Sequence, residues 1–337
     1  MSILSEQTSH WIDETAVTTD WVEVRPEEMA PDQEEKLAGT KGIGLHFRAW
    51  LPHFGTTSTK TKTETRTEVE NRDGNQTEAG TVLLVHGYGE HLGRYGRLAR
   101  QLTRHGFRVG GCDHPGMGRS EGSRMYIDDY ATYVDGMMVA HNRLRQGVDP
   151  SVPSFVFGHS MGGLVVLLHA LDYSDRSPAF AGTVLSGPLL GIGIPVPSWQ
   201  VKLGNFLIRC APRFHFPLPI RPNMLSHDEE ERHAARTDPH LPGFTTPGWF
   251  FATIRAMERA REQATKVNWP TLWMIGGADR VCSPVASREV FDRLTGPDQT
   301  VQETPTLVKR YGLSARHRQA SGHPAQPPRI PHHHWYE

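Results

Sequence analysis

The chain has 337 residues, which is enough for one large domain or for a domain with an insertion. Its formal net charge of −1 gives no general attraction to nucleic acid, and it shows neither a secretory signal nor an apolar stretch of about 18 residues that would span a membrane. Its three cysteines (Cys112, Cys210 and Cys282) lack C-x-x-C spacing, so we expect a reducing, cytoplasmic compartment and no disulfide framework.

The N-terminal residues, to about position 40, are acidic and irregular in pattern, apart from an edge strand suggested at Trp21–Val24. An alternating strand follows at Gly44–Leu51. The stretch from Gly55 to Gly80 is dominated by Thr, Lys, Glu and Asn, which predicts a long flexible loop because little of it can be buried. Beyond it, we predict strands at 81–85, 107–112, 155–157, 183–186, 271–276 and 300–302, and helices at 95–102, 127–144, 161–171 and 287–294.

This alternation of strands and helices predicts an α/β fold with a mostly parallel sheet that helices cover on both faces. The texture changes between residues 188 and 266, where repeated prolines break the chain into short pieces and no sheet strand is expected. We interpret this stretch as an inserted helical cap. In such sheets the chemistry lies at the carboxyl ends of the strands, where His86, Asp113, Ser160 and Ser186 fall.

The sequence Gly158-His159-Ser160-Met161-Gly162 matches G-x-S-x-G, with a strand before it and an apolar helix after it. This order is the context of a nucleophile elbow, in which the flanking glycines let the turn close and expose the serine. The alternative is a glycine-rich turn that contains an unrelated serine. We predict that Ser160 is a nucleophile.

A serine nucleophile needs donors for the oxyanion, a base and an acid that orients the base. We expect the donors to be the backbone N–H groups of Met161 and, in the loop after the strand at 81–85, of Tyr88, although His86-Gly87 also fits an ordinary turn. Asp279 follows a strand in the order Ser, Asp, His and is the predicted acid. Its alternative role is a turn aspartate that caps the next helix, and Asp113 is expected to structure its loop.

Four motifs, in order, resemble the monoglyceride lipase family of the α/β-hydrolases. They are His-Gly-Tyr-Gly-Glu-His at 86–91 with Arg-Tyr at 94–95, Asp-x-x-Gly-x-Gly-x-Ser-Glu-Gly at 113–122, Gly-His-Ser-Met-Gly-Gly at 158–163 and Gly-Ala-Asp-Arg at 277–280. The resemblance covers about residues 42 to 300. It implies an α/β-hydrolase fold with an inserted helical cap, and a serine hydrolase that releases fatty acid from monoacylglycerol without a metal or cofactor.

The resemblance also implies that the cap lines an acyl tunnel and contacts membranes peripherally. An apolar stripe from Trp199 to Cys210 would suit membrane contact, although packing against the core is the commoner fate of such a stripe.

The chain departs from the family pattern at the catalytic histidine. The family places it in a Tyr-x-Gly-x-x-His segment, and residues 306–312 contain no histidine. His317 is the predicted replacement, with His323 as the second choice. The abrupt change of composition after about Gln302 suggests a disordered tail from a frameshift or a mis-spliced end.

The sequence therefore predicts a lipid ester hydrolase, most simply one for monoacylglycerol, that works through a Ser160 acyl-enzyme. Three alternatives stay open: a lysophospholipase, a general carboxylesterase, and a catalytically impaired lipid-binding protein of the same fold. The predicted organisation is an irregular extension at 1–40, a core at 41–187 and 267–303, a flexible loop at 55–80 within that core, a cap at 188–266 and a tail at 304–337.

Overall fold

A mostly parallel sheet of eight strands runs through the part of the chain that the computed structural model describes, residues 29–52, 78–172, 180–295 and 299–304. The strand order is β1-β2-β4-β3-β5-β6-β9-β10, and only the pairings of β1 with β2 and of β2 with β4 are antiparallel. The strands are β1 (Gln33–Ala38), β2 (Gly44–Trp50), β3 (Gly80–Val85), β4 (Phe107–Cys112), β5 (Ser154–His159), β6 (Gly182–Ser186), β7 (Phe216–Pro217), β8 (Phe244–Thr245), β9 (Thr271–Gly276) and β10 (Gln299–Thr304). The edge strand at 21–24, most of the loop predicted at 55–80, and the tail with His317 and His323 lie outside the described residues.

Strand β3 is buried on both faces because its side chains alternate between two apolar clusters. Val82 and Leu84 pack on the side of helix α1 (Gly96–Arg104), and Leu83 and Val85 pack on the side of helices α2 (Ala131–Leu144) and α3 (Met161–Asp172). The helices are α1 (Gly96–Arg104), α2 (Ala131–Leu144), α3 (Met161–Asp172), α4 (Ser198–Cys210), α5 (Pro222–Leu225), α6 (Glu229–Thr237), α7 (Pro247–Gln263) and α8 (Pro284–Phe291). The predicted strands and helices of the sheet are therefore present in the predicted order.

Two helices begin three or four residues away from the start that the periodicity predicts. Helix α2 begins at Ala131 and not at 127, because an Asp129 side chain accepts the Ala131 N–H at 2.7 Å and closes the preceding turn. Helix α8 begins at Pro284, where the Ser283 side chain accepts the Ala286 N–H at 3.3 Å and caps the helix.

Part of the segment expected to be irregular forms a strand. Strand β1 pairs antiparallel with β2 in the register Gln33↔Ala49 to Ala38↔Gly44, with alternate side chains exposed. Its polar composition hid it, because an edge strand needs only one half-buried face and can carry charges on the other. The prediction that the whole of 1–40 is irregular is therefore wrong for these residues.

The segment interpreted as a cap contains four helices and, contrary to expectation, two short strands. Strands β7 and β8 pair antiparallel over Phe216↔Thr245 and Pro217↔Phe244. Helix α7 also extends into the main core, where Ala252, Ala256 and Ala260 are buried. Prolines did not prevent the short pairing because β7 and β8 form only a two-stranded ribbon, where a missing N–H can face outward.

The apolar stripe on helix α4 does not pack against the core. Its buried position is Gly204, where an added Cβ would lie 3.2 Å from the Phe251 ring. Contact through this glycine turns the opposite face outward, and Trp199 and Phe206 are 61% and 67% exposed. Within the described ranges, no helix is long and apolar enough to cross a membrane.

Candidate active site

The segments predicted to carry chemistry leave the sheet at one edge. Val85 of β3 is paired with Gly158 of β5, and His159 of β5 is paired with Ser186 of β6. Ser186 is in turn paired with Met274 near the end of β9. The register therefore brings together Ser160, the loop after β3 and the turn that contains Asp279.

Ser160 lies on a strained turn between β5 and α3. Its φ is 51°, in the left-handed region that non-glycine residues occupy rarely and at a cost of about 1–3 kcal/mol. The Ser160 N–H donates to the Ser186 carbonyl at 2.9 Å, and its own carbonyl accepts the Leu189 N–H at 2.9 Å. These bonds from the neighbouring strand and loop hold the serine in the conformation of a nucleophile elbow.

Small residues are required around this turn because the backbone segments nearly touch. A Cβ added to Gly162 would lie 2.1 Å from the Val85 carbonyl oxygen. One added to Gly158 would lie 2.8 Å from the Gly162 carbonyl oxygen. Both glycines of the predicted G-x-S-x-G motif therefore permit a close approach between α3 and the ends of β3 and β5.

The loop after β3 lies against Ser160, as an oxyanion loop must. A Cβ added to Gly87 would be 3.3 Å from the Cβ of Ser160. Met161 is the first residue of α3, so its N–H has no partner within the helix and points out at the helix N-terminus. The roles of the Tyr88 and Met161 N–H groups as oxyanion donors stay a prediction.

Two buried histidines hold the start of this loop in place. The His86 Nε2 accepts the His114 N–H at 2.8 Å, so the ring proton lies on Nδ1, which donates to the Gly87 carbonyl at 2.8 Å. Burial lowers the pKa of both His86 and His114, which keeps the rings neutral. Asp113 is fully buried and accepts the N–H groups of Leu92 at 2.8 Å and Arg119 at 2.9 Å, so it structures the loop as predicted.

Asp279 lies in a tight turn after β9. Its Oδ1 accepts the N–H groups of Val281 at 2.8 Å and Cys282 at 3.0 Å, while Ser283 and not Asp279 caps helix α8. On its other side, a Cβ added to Gly187 would lie 3.5 Å from Oδ2. The carboxylate is thus held rigidly beside the residue that follows Ser186. Its role as the catalytic acid stays a prediction.

Two residues of the site were not anticipated from the sequence. The Cys282 thiol lies 3.4 Å from Ser160 Oγ. Glu90 is buried, and its Oε2 accepts the Tyr95 hydroxyl at 3.0 Å and, at 3.4 Å, the Gly87 N–H. Glu90 lies inside the motif at 86–91, and Cys282 lies two residues after the motif at 277–280. Proximity to these motifs was the sequence signal that could have pointed to both residues.

The base is the part of the site that the described residues do not supply. His159, next to Ser160 in the chain, turns its ring toward the Ser186 carbonyl, with Nδ1 at 2.9 Å. Among the described residues, the hydrogen-bond contact found for Ser160 Oγ is with Cys282. The predicted base His317 and its alternative His323 lie outside this part of the chain.

Ser160 opens into a cavity of about 290 Å³ between the sheet edge and the cap. Most of its lining is apolar, with Leu189, Ile192, Val196, Phe216, Leu218 and Phe250 among the contributing residues. Arg94 and Glu231 form a polar part of the wall, with 3.4 Å between Nη2 and Oε2. An apolar chamber with few polar groups suits a ligand with a hydrocarbon portion.

Comparisons with known proteins agree with this geometry. Residues 76–308 match the profile of the protein family described as serine aminopeptidase, S33. Human monoglyceride lipase is 31% identical over 228 residues, 67% of this chain and 74% of the human protein. Monoacylglycerol lipase from Mycolicibacterium smegmatis is 28% identical over 278 residues, 81% of this chain and 89% of that protein.

Solved structures confirm the fold class. The crystal structure of Paleococcus ferrophilus monoacylglycerol lipase matches with a TM-score of 0.62 at 29% identity, covering 77% of this chain and 88% of that one. The sheet order, the elbow and this match together establish the predicted α/β-hydrolase fold.

Proposed function

Because the chain belongs to the serine aminopeptidase S33 family, and within it to the monoglyceride lipase-like α/β-hydrolases, we propose that it hydrolyses monoacylglycerol to fatty acid and glycerol. The observation that carries the proposal is the position of Ser160. It stands at φ 51° on an elbow that opens into an apolar cavity of about 290 Å³. A half-buried nucleophile that opens into an apolar chamber suits an ester whose acyl part is a hydrocarbon chain.

In the proposed reaction, Ser160 Oγ attacks the ester carbonyl and gives its proton to a histidine base. The carbonyl oxygen becomes an oxyanion that accepts hydrogen bonds from the Tyr88 and Met161 N–H groups. Collapse of this intermediate breaks the ester bond, and glycerol leaves with the proton from the histidine. Water then attacks the acyl-enzyme by the same steps and releases the fatty acid, restoring Ser160.

Asp279 would orient the base and stabilise its charged form. The two N–H groups that hold its Oδ1 fix the carboxylate in one orientation, which supports such a role. His317 is the proposed base, and His323 is the alternative. The lysophospholipase, general esterase and catalytically impaired alternatives are not favoured, because the two relatives described above are named as a monoglyceride lipase and a monoacylglycerol lipase.

The exposed stripe of the cap supports peripheral membrane contact in a cytoplasmic protein. Trp199, Leu203 and Phe206 recur on one exposed side of α4, and the nearby Phe214 is 51% exposed. Aromatic and aliphatic side chains left in water next to a lipid-binding chamber are suited to the interface of a bilayer. Such contact would place the substrate next to the cavity.

The test measures fatty acid release from monooleoylglycerol together with labelling by a fluorophosphonate probe, which phosphonylates an activated serine. Wild-type protein should release fatty acid and be labelled, and Ser160→Ala should lose both. His317→Ala should lose most of the activity and His323→Ala should retain it, whereas the reverse result would identify the alternative, His323, as the base. Protein that is folded but neither labelled nor active would contradict the proposal and support the impaired alternative.

A substrate panel separates the remaining alternatives. Monooleoylglycerol, lysophosphatidylcholine and p-nitrophenyl acetate are compared by kcat/KM at one pH. The proposal requires a higher kcat/KM for monooleoylglycerol than for lysophosphatidylcholine. A clear preference for lysophosphatidylcholine would overturn the assignment of the head group while leaving the nucleophile in place.

A further inference from the structure

We propose that the side chain of Tyr88 positions its own backbone N–H by fastening the oxyanion loop, residues 86–91, to the cap. The inference rests on the proposed function, because it assigns Tyr88 a role in that reaction. It goes further by making the side chain of this residue a positioning group, in addition to the backbone N–H that would act on the substrate.

Tyr88 contacts two separate elements above the sheet edge. Its hydroxyl donates to the Phe244 carbonyl of β8 at 3.2 Å. Its ring lies 3.6 Å from the Trp249 ring of α7, centroid to centroid, with 33° between the planes. Burial raises the pKa of the Tyr88 hydroxyl, which therefore stays protonated and available as a donor.

The far end of the same loop is also tied to the cap. His91 Nδ1 accepts the Gly93 N–H at 3.2 Å, so Nε2 carries the ring proton and donates to Asp238 Oδ2 at 2.8 Å. Arg94 adds its guanidinium to Glu231 at 3.4 Å and to Asp238 at 3.8 Å. The loop is therefore held to the cap at Tyr88 and again at His91.

The backbone around Tyr88 needs such a fastening because glycines flank it on both sides. A Cβ on Gly87 would be a tight fit, 3.3 Å from the Ser160 Cβ, and Gly89 has φ 66°, in the region that glycine occupies freely. The peptide unit that carries the Tyr88 N–H is held on its carbonyl side, where the Gly87 oxygen accepts the His86 Nδ1–H at 2.8 Å. On the other side, the backbone can turn at Gly89 unless the Tyr88 side chain holds residue 88 in place. The Tyr88 side chain provides this hold, because it contacts Phe244 and Trp249 of the cap.

The consequence for catalysis follows from how sharply an oxyanion hole depends on geometry. A donor must lie about 2.7–3.1 Å from the oxyanion, and a misplacement of about 1 Å can cost about a hundredfold in rate. If the cap sets the position of Tyr88, then the seating of the cap also sets the oxyanion donor. Cap closure and completion of the catalytic site become one event.

Tyr88→Phe and Tyr88→Ala test this, with Tyr126→Ala as the matched control. Tyr126 is a half-buried tyrosine at the junction with the cap, where its ring lies 4.8 Å from the guanidinium carbon of Arg213, but it is not on the oxyanion loop. The substrate is p-nitrophenyl acetate, whose acetyl group does not fill the acyl cavity. We expect Tyr88→Ala to lower kcat about tenfold or more, with KM changed less than about threefold.

Tyr88→Phe keeps the ring stacking and loses the hydroxyl bond to Phe244, so its kcat should fall by a smaller factor. Affinity for 1,1,1-trifluoroacetone, whose carbonyl forms a tetrahedral adduct with the serine, should fall in parallel with kcat. Tyr126→Ala should retain the wild-type kcat. If Tyr88→Ala does not fold, the parallel loss of kcat and adduct affinity in Tyr88→Phe decides the question.

An unchanged kcat and adduct affinity in a folded Tyr88 variant would overturn the inference. An equal loss of kcat in Tyr126→Ala would also overturn it, because any weakening of the contact between the core and the cap would then lower the rate in the same way. Failure of the proposed function looks different, because wild-type protein would then show no Ser160-dependent hydrolysis at all.

Discussion

The hydroxyl of Ser160 lies 3.4 Å from the thiol of Cys282, which stands three residues after the proposed acid Asp279. The Cys282 N–H donates to Asp279 Oδ1 at 3.0 Å. The backbone of Cys282 also forms an isolated antiparallel β-bridge with that of Ile192 in the cavity wall. The turn after β9, which also contains the proposed acid, therefore contacts the nucleophile through a cysteine.

A small group attached to Cys282 should block the enzyme. Methyl methanethiolsulfonate transfers its S–CH3 group to a thiolate and releases methanesulfinate. On Cys282, the transferred group would place a methyl next to Ser160 Oγ. We expect loss of hydrolysis of p-nitrophenyl acetate in wild-type protein and its recovery after dithiothreitol. The Cys282→Ala variant should keep its activity during the same treatment.

Cys210 provides the control for that experiment, because it is exposed on helix α4 away from the nucleophile. The Cys210→Ala variant should remain as sensitive as wild-type protein. Inactivation that persists in Cys282→Ala would show that another group reacts and would refute the prediction.

Two helical glycines should respond in opposite ways to alanine. Gly162→Ala would drive a Cβ to within 2.1 Å of the Val85 carbonyl oxygen, a backbone clash that should cost about 3 kcal/mol or more. Gly136 of α2 has its nearest neighbour at 3.5 Å, so Gly136→Ala should stabilise the protein by about 0.5–1 kcal/mol. Urea unfolding followed by circular dichroism measures both, and a tolerated Gly162→Ala would contradict the packing described for the elbow.

Acid should destabilise the protein through histidines that are buried as neutral rings. Burial lowers the pKa of His141, with help from Arg145, and that of His169, each to about 4. Their unfolded-state pKa is about 6.5, so the unfolded chain binds more protons between these values. This stability is complete above about pH 6.5 and is lost as the pH falls toward 4.

At pH 5.5 each histidine should have cost about 1.4 kcal/mol of unfolding free energy relative to pH 7.5. Urea titrations at the two pH values should therefore show a smaller difference in His141→Gln than in wild-type protein. His105→Gln, on an exposed residue at the end of α1, should keep the wild-type difference. If the difference in unfolding free energy between the two pH values is as large in His141→Gln as in wild-type protein, then His141 does not contribute to the loss of stability in acid.

Removal of the cap stripe should weaken binding to lipid vesicles. Trp199→Ser combined with Phe206→Ser removes two exposed aromatic rings from α4, and each is worth about 1.5–3 kcal/mol when buried in an apolar medium. We expect partitioning onto phosphatidylcholine vesicles, measured by sedimentation, to fall by at least about tenfold. Val285→Ser changes an equally exposed apolar residue on α8, outside the cap, and should leave partitioning unchanged.

The core of the fold could be predicted because its signals are local. Continuous apolar runs such as Val82–Val85 mark buried strands, and the glycines at 158 and 162 mark the elbow directly in the sequence. Strand β1 could not be found this way, since its pairing with β2 depends on a partner and not on its own composition. The ribbon of β7 and β8 is hidden for the same reason.

The site was predictable as far as motifs extend along the chain. Ser160 and the loop at 86–91 each carry a motif, and the register of the sheet brings them together. The contact between Ser160 and Cys282 joins residues far apart in sequence and depends on the path of the turn after β9. The outward stripe of α4 likewise depended on which side Gly204 would pack, which periodicity alone does not decide.

Helix α3 is buried at every residue from Met161 to Leu171, which is all but its last residue, so the nucleophile is attached to the most enclosed helix of the described chain. Amide hydrogens of such a helix exchange with solvent only when the whole domain unfolds, whereas loops and caps open at a smaller free energy. The serine would then stay fixed through the thermal fluctuations that move the cap. Slow exchange in α3 beside faster exchange in the cap helices would mean that this enzyme adjusts the cap around its nucleophile and leaves the nucleophile in place.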